Sequence, residues 1–265
     1  MTLDFTGRSA IVTGAASGFG RAVTFKLLAL GARVLGTDVN ADGLDELSAS
    51  DTTGRLTTCT HDVSDATAWA SIVRDHGPFD LALLNAGVAT RHIRPEGALP
   101  LLGLDGERYR TVLGANVDGV VFGTQAVLEH MVETGFGDII VTASVAGLVP
   151  IAPDPVYGLT KHAVVGFVRS MAGALDQHVE PLDIHISAVC PGFADTAILT
   201  DEAKENLHNL GVELLTAERV ADTMLRAIEA RQNGAQWVVW EGYEDERYEW
   251  TPIRPLIPPM VTGDQ

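Results

Sequence analysis

Short, unbroken apolar runs alternate with longer segments of helical period from one end of this chain to the other, and few folds accept that alternation. Cores such as Leu81-Ala82-Leu83-Leu84 and Ile139-Ile140-Val141 lack the in-and-out pattern of a half-exposed antiparallel strand and suit strands covered on both faces. Strands are expected at Ala10–Thr13, Arg33–Asp38, Leu56–His61, Leu81–Asn85, Asp138–Ala143, Asp183–Val189 and Gln236–Trp240. Helices are expected at Gly18–Leu30, Ala66–Asp75, Glu107–Thr134, Val156–Gln177 and Ala217–Arg231, with Gly31 as the left-handed cap of the first. The pattern implies an α/β fold, a single doubly wound, mostly parallel seven-stranded sheet with helices on both faces. The 265 residues suit one such domain over 1–250. A proline-rich tail, 251–265, follows, and its stretch Thr251–Pro259 is expected to form an extended arm.

Charge narrows the partners. With 35 acidic against 18 basic residues the formal net charge is −17, which repels nucleic acid and anionic membrane surfaces, so neither is expected as a partner. Any phosphate must be held by local geometry. No uncharged apolar run reaches the roughly 18 residues of a spanning helix, and Asp4 comes early with no basic leader, so a soluble, cytoplasmic protein is expected. Cys59 and Cys190 fit no disulfide framework or zinc spacing, and the eight histidines form no paired ligand motif, so no metal is expected.

The first strand runs straight into Thr13-Gly14-Ala15-Ala16-Ser17-Gly18-Phe19-Gly20 and then a helix. Glycines permit a tight turn and close approach of a pyrophosphate to the backbone, and the helix N-terminus offers free N–H groups. A tight strand-to-helix connection would also explain them. Asp38 ends the second strand 18 positions after Gly20, near the offset at which a carboxylate accepts from the ribose hydroxyls of a dinucleotide. Its other reading is a cap on the following turn. No Arg or Lys lies between Ala15 and Phe19 to welcome a 2′-phosphate, so NAD is expected over NADP. Tyr157 and Lys161, four apart, share one helix face, which alone describes many surface pairs. Ser144, however, closes the strand Asp138–Ala143 at the carboxyl end, where open α/β sheets bind ligands. Asn116 reads either as a satisfied core amide or as the holder of a water.

Together these residues resemble the classical short-chain dehydrogenase/reductase family over almost the whole chain. Thr13-Gly14-x-x-x-Gly18-x-Gly20 looks like its cofactor loop, with Ser17 and Phe19 inside it. Asp62-Val63 looks like its adenine-side pair, Asn85-Ala86-Gly87 like its fourth-strand motif, and Pro191-Gly192-x-x-x-Thr196 like its nicotinamide-side loop. Asn116, Ser144, Tyr157 and Lys161 match its catalytic tetrad. Leu84 stands where a second Asn is usual, and the Asp-Gly-Gly ending of many bacterial members is missing. Ala146-Gly147-Leu148-Val149-Pro150, Pro155-Val156-Tyr157 and Cys190-Pro191-Gly192-Phe193 further resemble NAD-dependent 15-hydroxyprostaglandin dehydrogenases. Those carry a substrate-contacting Gln three positions before the Tyr, where this chain has Asp154.

The resemblance implies a Rossmann fold, bound NAD and hydride transfer with a secondary alcohol or ketone. Lys161, together with the nicotinamide's positive charge, is expected to favour the phenolate of Tyr157, and its ammonium to reach the nicotinamide ribose; Ser144 is expected to hold the reacting oxygen, and Asn116 to fix a relay water. It also implies a homodimer, with a homotetramer as an option, through the helices Glu107–Thr134 and Val156–Gln177. Leu148, Val149, Ile151, Phe193, Ile198 and Leu199 suit an apolar lipid-like, steroid-like or aryl carbinol, or else bury a lid. Leu148, Asp154 and Phe193, with Ser144 and Tyr157, are the expected substrate contacts. Asp154 either selects a substrate with a nearby donor or faces water in its turn. A non-catalytic NAD-binding regulator, which would typically lack a tetrad member, and a methyltransferase, which gives Ser144, Tyr157 and Lys161 no task, are the competing readings.

Overall fold

A computed structural model describes residues 3–91 and 97–251. The strands are β1 (Ser9–Thr13), β2 (Arg33–Asp38), β3 (Leu56–Thr60), β4 (Leu81–Leu84), β5 (Phe136–Thr142), β6 (Asp183–Pro191), β7 (Gln236–Val239) and β8 (Glu246–Arg247). They form one sheet in the order β3-β2-β1-β4-β5-β6-β7-β8. The first seven are parallel and β8 runs antiparallel to β7. The expected seven strands thus become eight, because β8 is two exposed residues with no apolar pattern to betray it. The proline-rich stretch lies outside the described residues after Thr251.

Successive side chains on a strand point to opposite faces, and each face has its own core. Val12 and Leu83 face α1 (Gly18–Ala29) and α8 (Ala217–Ala230), where Val23, Leu27, Met224 and Ile228 cover them. Their neighbours Ile11 and Leu84 face α3 (Ala66–His76), α5 (Gly119–Thr134) and α6 (Pro155–Asp176), meeting Trp69, Val127, Met131 and Val168. Each fully buried Leu or Val there contributes about 1.5–3 kcal/mol. Double coverage accounts for the continuous apolar runs of the central strands.

Three helices depart from the sequence reading. α2 (Ala41–Ala49) and α7 (Asp201–Asn209) were not expected: α2 is short, and α7 buries no residue, so no apolar stripe marks it. The expected single helix Glu107–Thr134 is α4 (Gly106–Leu113) and α5 joined by a π-helical turn, Gly114–Asp118, where Gly119 N–H donates to Gly114 C=O. By length and composition this composite is apolar enough to cross a membrane, yet α5 lies packed on β4, β5 and α3. Gly31 has φ +97° and releases α1 into β2 as expected. After β3 the chain crosses over β1 to begin β4 on its other side, and at that reversal the carboxyl ends of β1 and β4 diverge into a crevice.

Candidate active site

Six of the described helices begin under a side-chain cap, namely α2, α3, α4, α6, α7 and α8. α1 has none, because Ser17 makes no capping bond. Its first N–H groups and their partial positive charge are left for a ligand in the crevice. The loop that leads there is pressed against the end of β4. A Cβ on Gly20 would stand 2.1 Å from the Gly14 carbonyl oxygen, and one on Gly14 would stand 2.9 Å from Ala86 Cα, so neither position admits a side chain. Asn85 pins the contact: its Nδ2 donates to Thr13 C=O (3.1 Å), its N–H and that of Ala86 donate to Thr13 Oγ1, and Thr142 Oγ1 donates to its Oδ1 (3.0 Å). Leu84, in place of the second Asn, is buried in the core.

At one end of the crevice the Asp38 carboxylate is held by two backbone donors, Ala16 N–H to Oδ2 (3.1 Å) and Asn40 N–H to Oδ1 (3.0 Å). The bond from Ala16 ties the acid to the glycine loop. Asp62 Oδ1 accepts from Ser64 N–H and Oγ–H, and Val63 C=O accepts from Trp69 Nε1. Beside them His61 is 4% exposed and lies edge-on to Trp69, and among the described residues neither ring nitrogen has a partner. Burial holds its pKa below the usual value, so the imidazole stays neutral. The uncapped helix, the loop pressed close at Gly14 and Gly20, the anchored acid and the buried imidazole together fit a dinucleotide.

At the other end Ser144, Tyr157 and Lys161 meet. Ser144 follows β5, its Oγ accepting from Ala146 N–H (3.1 Å). Tyr157 and Lys161 are in the first two turns of α6, with Lys161 Nζ 5.5 Å from the centre of the Tyr157 ring. Lys161 is 3% exposed and donates to Thr142 C=O (2.9 Å). Burial pushes the Tyr157 phenol up to about 12, against a hydrogen bond with Ser144 that lowers it, and Asp154 adds to the rise. Burial also brings the Lys161 ammonium down to about 8. Burial thus raises the Tyr157 phenol even with the Lys161 ammonium beside its ring. Cys190, close by, is pushed up to about 12 by burial and stays a neutral packing group.

Asn116 sits in the π-turn, 1% exposed. Its Oδ1 accepts from Val88 N–H (2.7 Å), and its Nδ2 donates to Val88 C=O (2.9 Å) and Thr160 Oγ1 (3.0 Å). Both N–H groups are committed, so the amide stitches the loop after β4 to α6, and the expected water site is not built from its donors. Asp154 is the N-cap of α6, Oδ1 accepting from Tyr157 N–H (3.0 Å) while Oδ2 accepts from Thr90 N–H (3.0 Å).

The crevice has a volume of about 520 Å³. Gly14, Ser17, Gly18, Phe19, Asp38, Asp62, Val63, Asn85, Ala86, Gly87, Ser144, Tyr157, Lys161, Pro191, Gly192, Phe193 and Thr196 all line it. Gly20 and Asn116 stand behind that lining, and Leu148 and Asp154 are outside it.

The family model for short chain dehydrogenases matches residues 8–207, three quarters of the chain. The chain belongs to the short-chain dehydrogenase/reductase family. It is 33% identical to human 15-hydroxyprostaglandin dehydrogenase [NAD(+)] over 83% of this chain and 80% of that one. With the 2-keto-3-deoxy-L-fuconate dehydrogenase of Xanthomonas campestris it shares 34% identity over 73% of this chain, which spans 60% of that relative's length. Among solved structures, levodione reductase superposes with a TM-score of 0.77 at 26% identity, over 90% of this chain and 98% of that one. A short-chain dehydrogenase/reductase from Burkholderia phymatum in complex with NAD superposes with a TM-score of 0.70, again at 26% identity, over 86% and 88%. This short-chain dehydrogenase/reductase is an NAD-dependent oxidoreductase of CH–OH and keto groups.

Thr13, already part of the cofactor-loop motif, and residues that the sequence did not single out complete the site of this family member. Thr13, Thr142 and Thr160 carry the polar seam that joins β1, β4, β5 and α6, with Thr160 Oγ1 donating to Tyr157 C=O (2.8 Å). Arg91 and Arg108 line the crevice. The partners of these threonines were not foreseen because they lie as many as 73 positions away. The glycine–threonine opening and the Tyr-x-x-Thr-Lys stretch are the only local signals for two of them.

Proposed function

We propose that this chain interconverts a secondary alcohol and its ketone by a Ser-Tyr-Lys-Asn mechanism, with a mostly hydrocarbon substrate. The carrying observation is the convergence of Ser144, Tyr157 and Lys161 on one crevice whose far end holds the uncapped helix α1 and the anchored Asp38. Bound NAD would lie along the glycine loop, Asp38 and Lys161, and it supplies the hydride acceptor and a positive charge on the nicotinamide ring. In oxidation Ser144 Oγ–H donates to the carbinol oxygen and fixes it beside Tyr157 Oη, which takes the hydroxyl proton as the carbinol carbon gives up hydride. Burial holds the Tyr157 phenol high even with the Lys161 ammonium 5.5 Å from its ring, and the positive charge of a bound nicotinamide would add to that of Lys161 in favouring the phenolate. Lys161 retains its charge at neutral pH and keeps a positive field on the phenol. Asn116 and Thr160 hold the helix turn that presents Tyr157.

Phe193, Ile198, Leu199, Val88 and Ala89 give the substrate half apolar walls, which supports a lipid-like, steroid-like or aryl carbinol. A homodimer through α5 and α6 is part of the proposal. Leu159, Ala163, Gly166 and Ser170 form an exposed strip of apolar and small residues along α6, suited to a second copy related by a two-fold axis. A panel of secondary alcohols with NAD, read as absorbance of the reduced nicotinamide, tests the activity. Absence of turnover across lipid, steroid and aryl classes, with Tyr157→Phe indistinguishable from the parent, overturns it. Light scattering tests the dimer, and a monomer at micromolar concentration refutes it.

A further inference from the structure

In a protein of net charge −17, the charged side chains that line the crevice are sorted by sign along its length. Among the described residues its acids are Asp38 and Asp62, at the ends of β2 and β3. Its cations, Arg91, Arg108 and Lys161, stand on the tetrad side. Lys161 serves the tetrad, which leaves two arginines without a task in the proposed chemistry.

Their placement is held by an unusually well-fastened segment. Val88 is bonded in both directions by Asn116. Arg108, from α4, donates Nε–H to Thr90 C=O (2.6 Å) and Nη2–H to Ala89 C=O, and Thr90 N–H is taken by Asp154. Residues 88–90 are therefore pinned from the π-turn, from α4 and from the cap of α6. The segment ends at Arg91, whose φ of +47° is in the left-handed region that disfavours every residue with a Cβ. Strain of this kind persists where the surroundings impose it and often marks a ligand contact. Among the described residues no hydrogen bond or ion pair engages the Arg91 guanidinium, while Arg108 retains three of its five N–H donors.

We propose that this substrate carries a carboxylate at the end of its apolar body, and that Arg91, with Arg108 behind it, is the residue that selects it. The inference rests on the dehydrogenase reading above and names its substrate class: a secondary hydroxy acid or keto acid with a hydrocarbon body. The apolar walls formed by Phe193, Ile198 and Leu199 take the body, and the guanidinium takes the charge, for which its planar fork is matched. Among the described residues no acid lines that side to repel it. Because the whole-protein field opposes an approaching anion, a preference for acids must come from these local cations.

The test compares a secondary hydroxy fatty acid with its own primary amide, over several distances between carbinol and carboxyl, using the full chain and NAD. The acid is expected to exceed the amide in kcat/KM by at least about tenfold. Arg91→Gln should bring that ratio to within about threefold, through KM more than kcat, and Arg91→Lys should keep part of it. Circular dichroism checks that each variant folds. A binding arm separates this proposal from the activity: non-reactive fatty acid and fatty amide are titrated against enzyme-bound NADH and read by its fluorescence. If no pair is oxidised but the acid still binds more tightly in an Arg91-dependent way, the alcohol chemistry fails and the anion site stands. Equal kcat/KM and equal binding for acid and amide, or a preference untouched by Arg91→Gln, overturns the proposal.

Discussion

Asp154 joins two parts of the site with one side chain, and Asp154→Asn takes those parts away separately. Asn is as good an N-cap as Asp, so its amide oxygen can still accept from Tyr157 N–H and the start of α6 survives. Its amide nitrogen cannot accept, so Thr90 N–H, now 3.0 Å from Oδ2, loses its acceptor in a residue that is 3% exposed. An unpaired, largely buried N–H costs about 1–3 kcal/mol. For a chain of this length, roughly 2 kcal/mol lowers Tm by about 4–8 °C. Asp154→Ala should lose about 1 kcal/mol more, because the cap goes too. The same change removes a negative charge that holds the Tyr157 phenol up. An anion forms more readily without a neighbouring anion, so the phenol pKa falls and the rise of alcohol oxidation with pH begins at lower pH. Thermal unfolding by circular dichroism and the pH profile of kcat/KM read the two effects independently. An Asp154→Asn protein with parental Tm and an unmoved profile refutes both the tie and the electrostatic argument.

Tyr157→Phe deletes the transferable proton alone and should cut kcat by about 10²–10⁴-fold while NADH binding, followed by fluorescence titration, changes little. Asp38→Ala should lower kcat/KM with NAD, since it also frees Ala16 N–H, and should narrow the gap to NADP without creating good NADP affinity; an unchanged ratio of the two cofactors counts against the ribose role. At the opposite end of the sheet, Asp138 is buried between Arg8 (3.0 Å) and Arg231 (2.9 Å), and burial holds its carboxyl above the usual range despite both cations. Asp138→Ala removes the carboxylate that two partly exposed guanidinium groups share, while Arg8 keeps Asp80 and Arg231 keeps Asp183, so a loss of about 1–3 kcal/mol is expected in urea unfolding, with kcat unaltered; parental stability refutes the ion cluster's role.

The parts of this molecule legible in sequence are those whose physics is local. Unbroken runs such as Leu81–Leu84 announce strands buried on both faces, and the glycine loop announces a turn that nothing but glycine can make. Tyr157 and Lys161 are legible because one helix spaces them. The rest depends on partners far along the chain. Nothing near Thr90 foretells that Asp154 will cap a helix and reach back 64 positions to it, and nothing near Asn116 foretells that its amide will be bonded to Val88 and Thr160. The burial that raises the Tyr157 phenol is hidden for the same reason: the lysine four residues away is visible in the sequence, whereas burial is a property of the assembled crevice. Helix α7 and strand β8 are exposed, and surface segments leave no hydrophobic period to read.

The π-turn at Gly114–Asp118 holds α4 and α5 in a fixed rotational phase. Each residue of an α-helix turns the chain by about 100°, so deleting one residue here would let an ordinary helix run through. That rotation would swing Arg108 away from the Ala89 and Thr90 carbonyls while leaving Val127 and Met131 in the core. The defect therefore acts as a vernier: it sets the azimuth of an arginine on the crevice wall independently of the packing that anchors the same helix to the sheet.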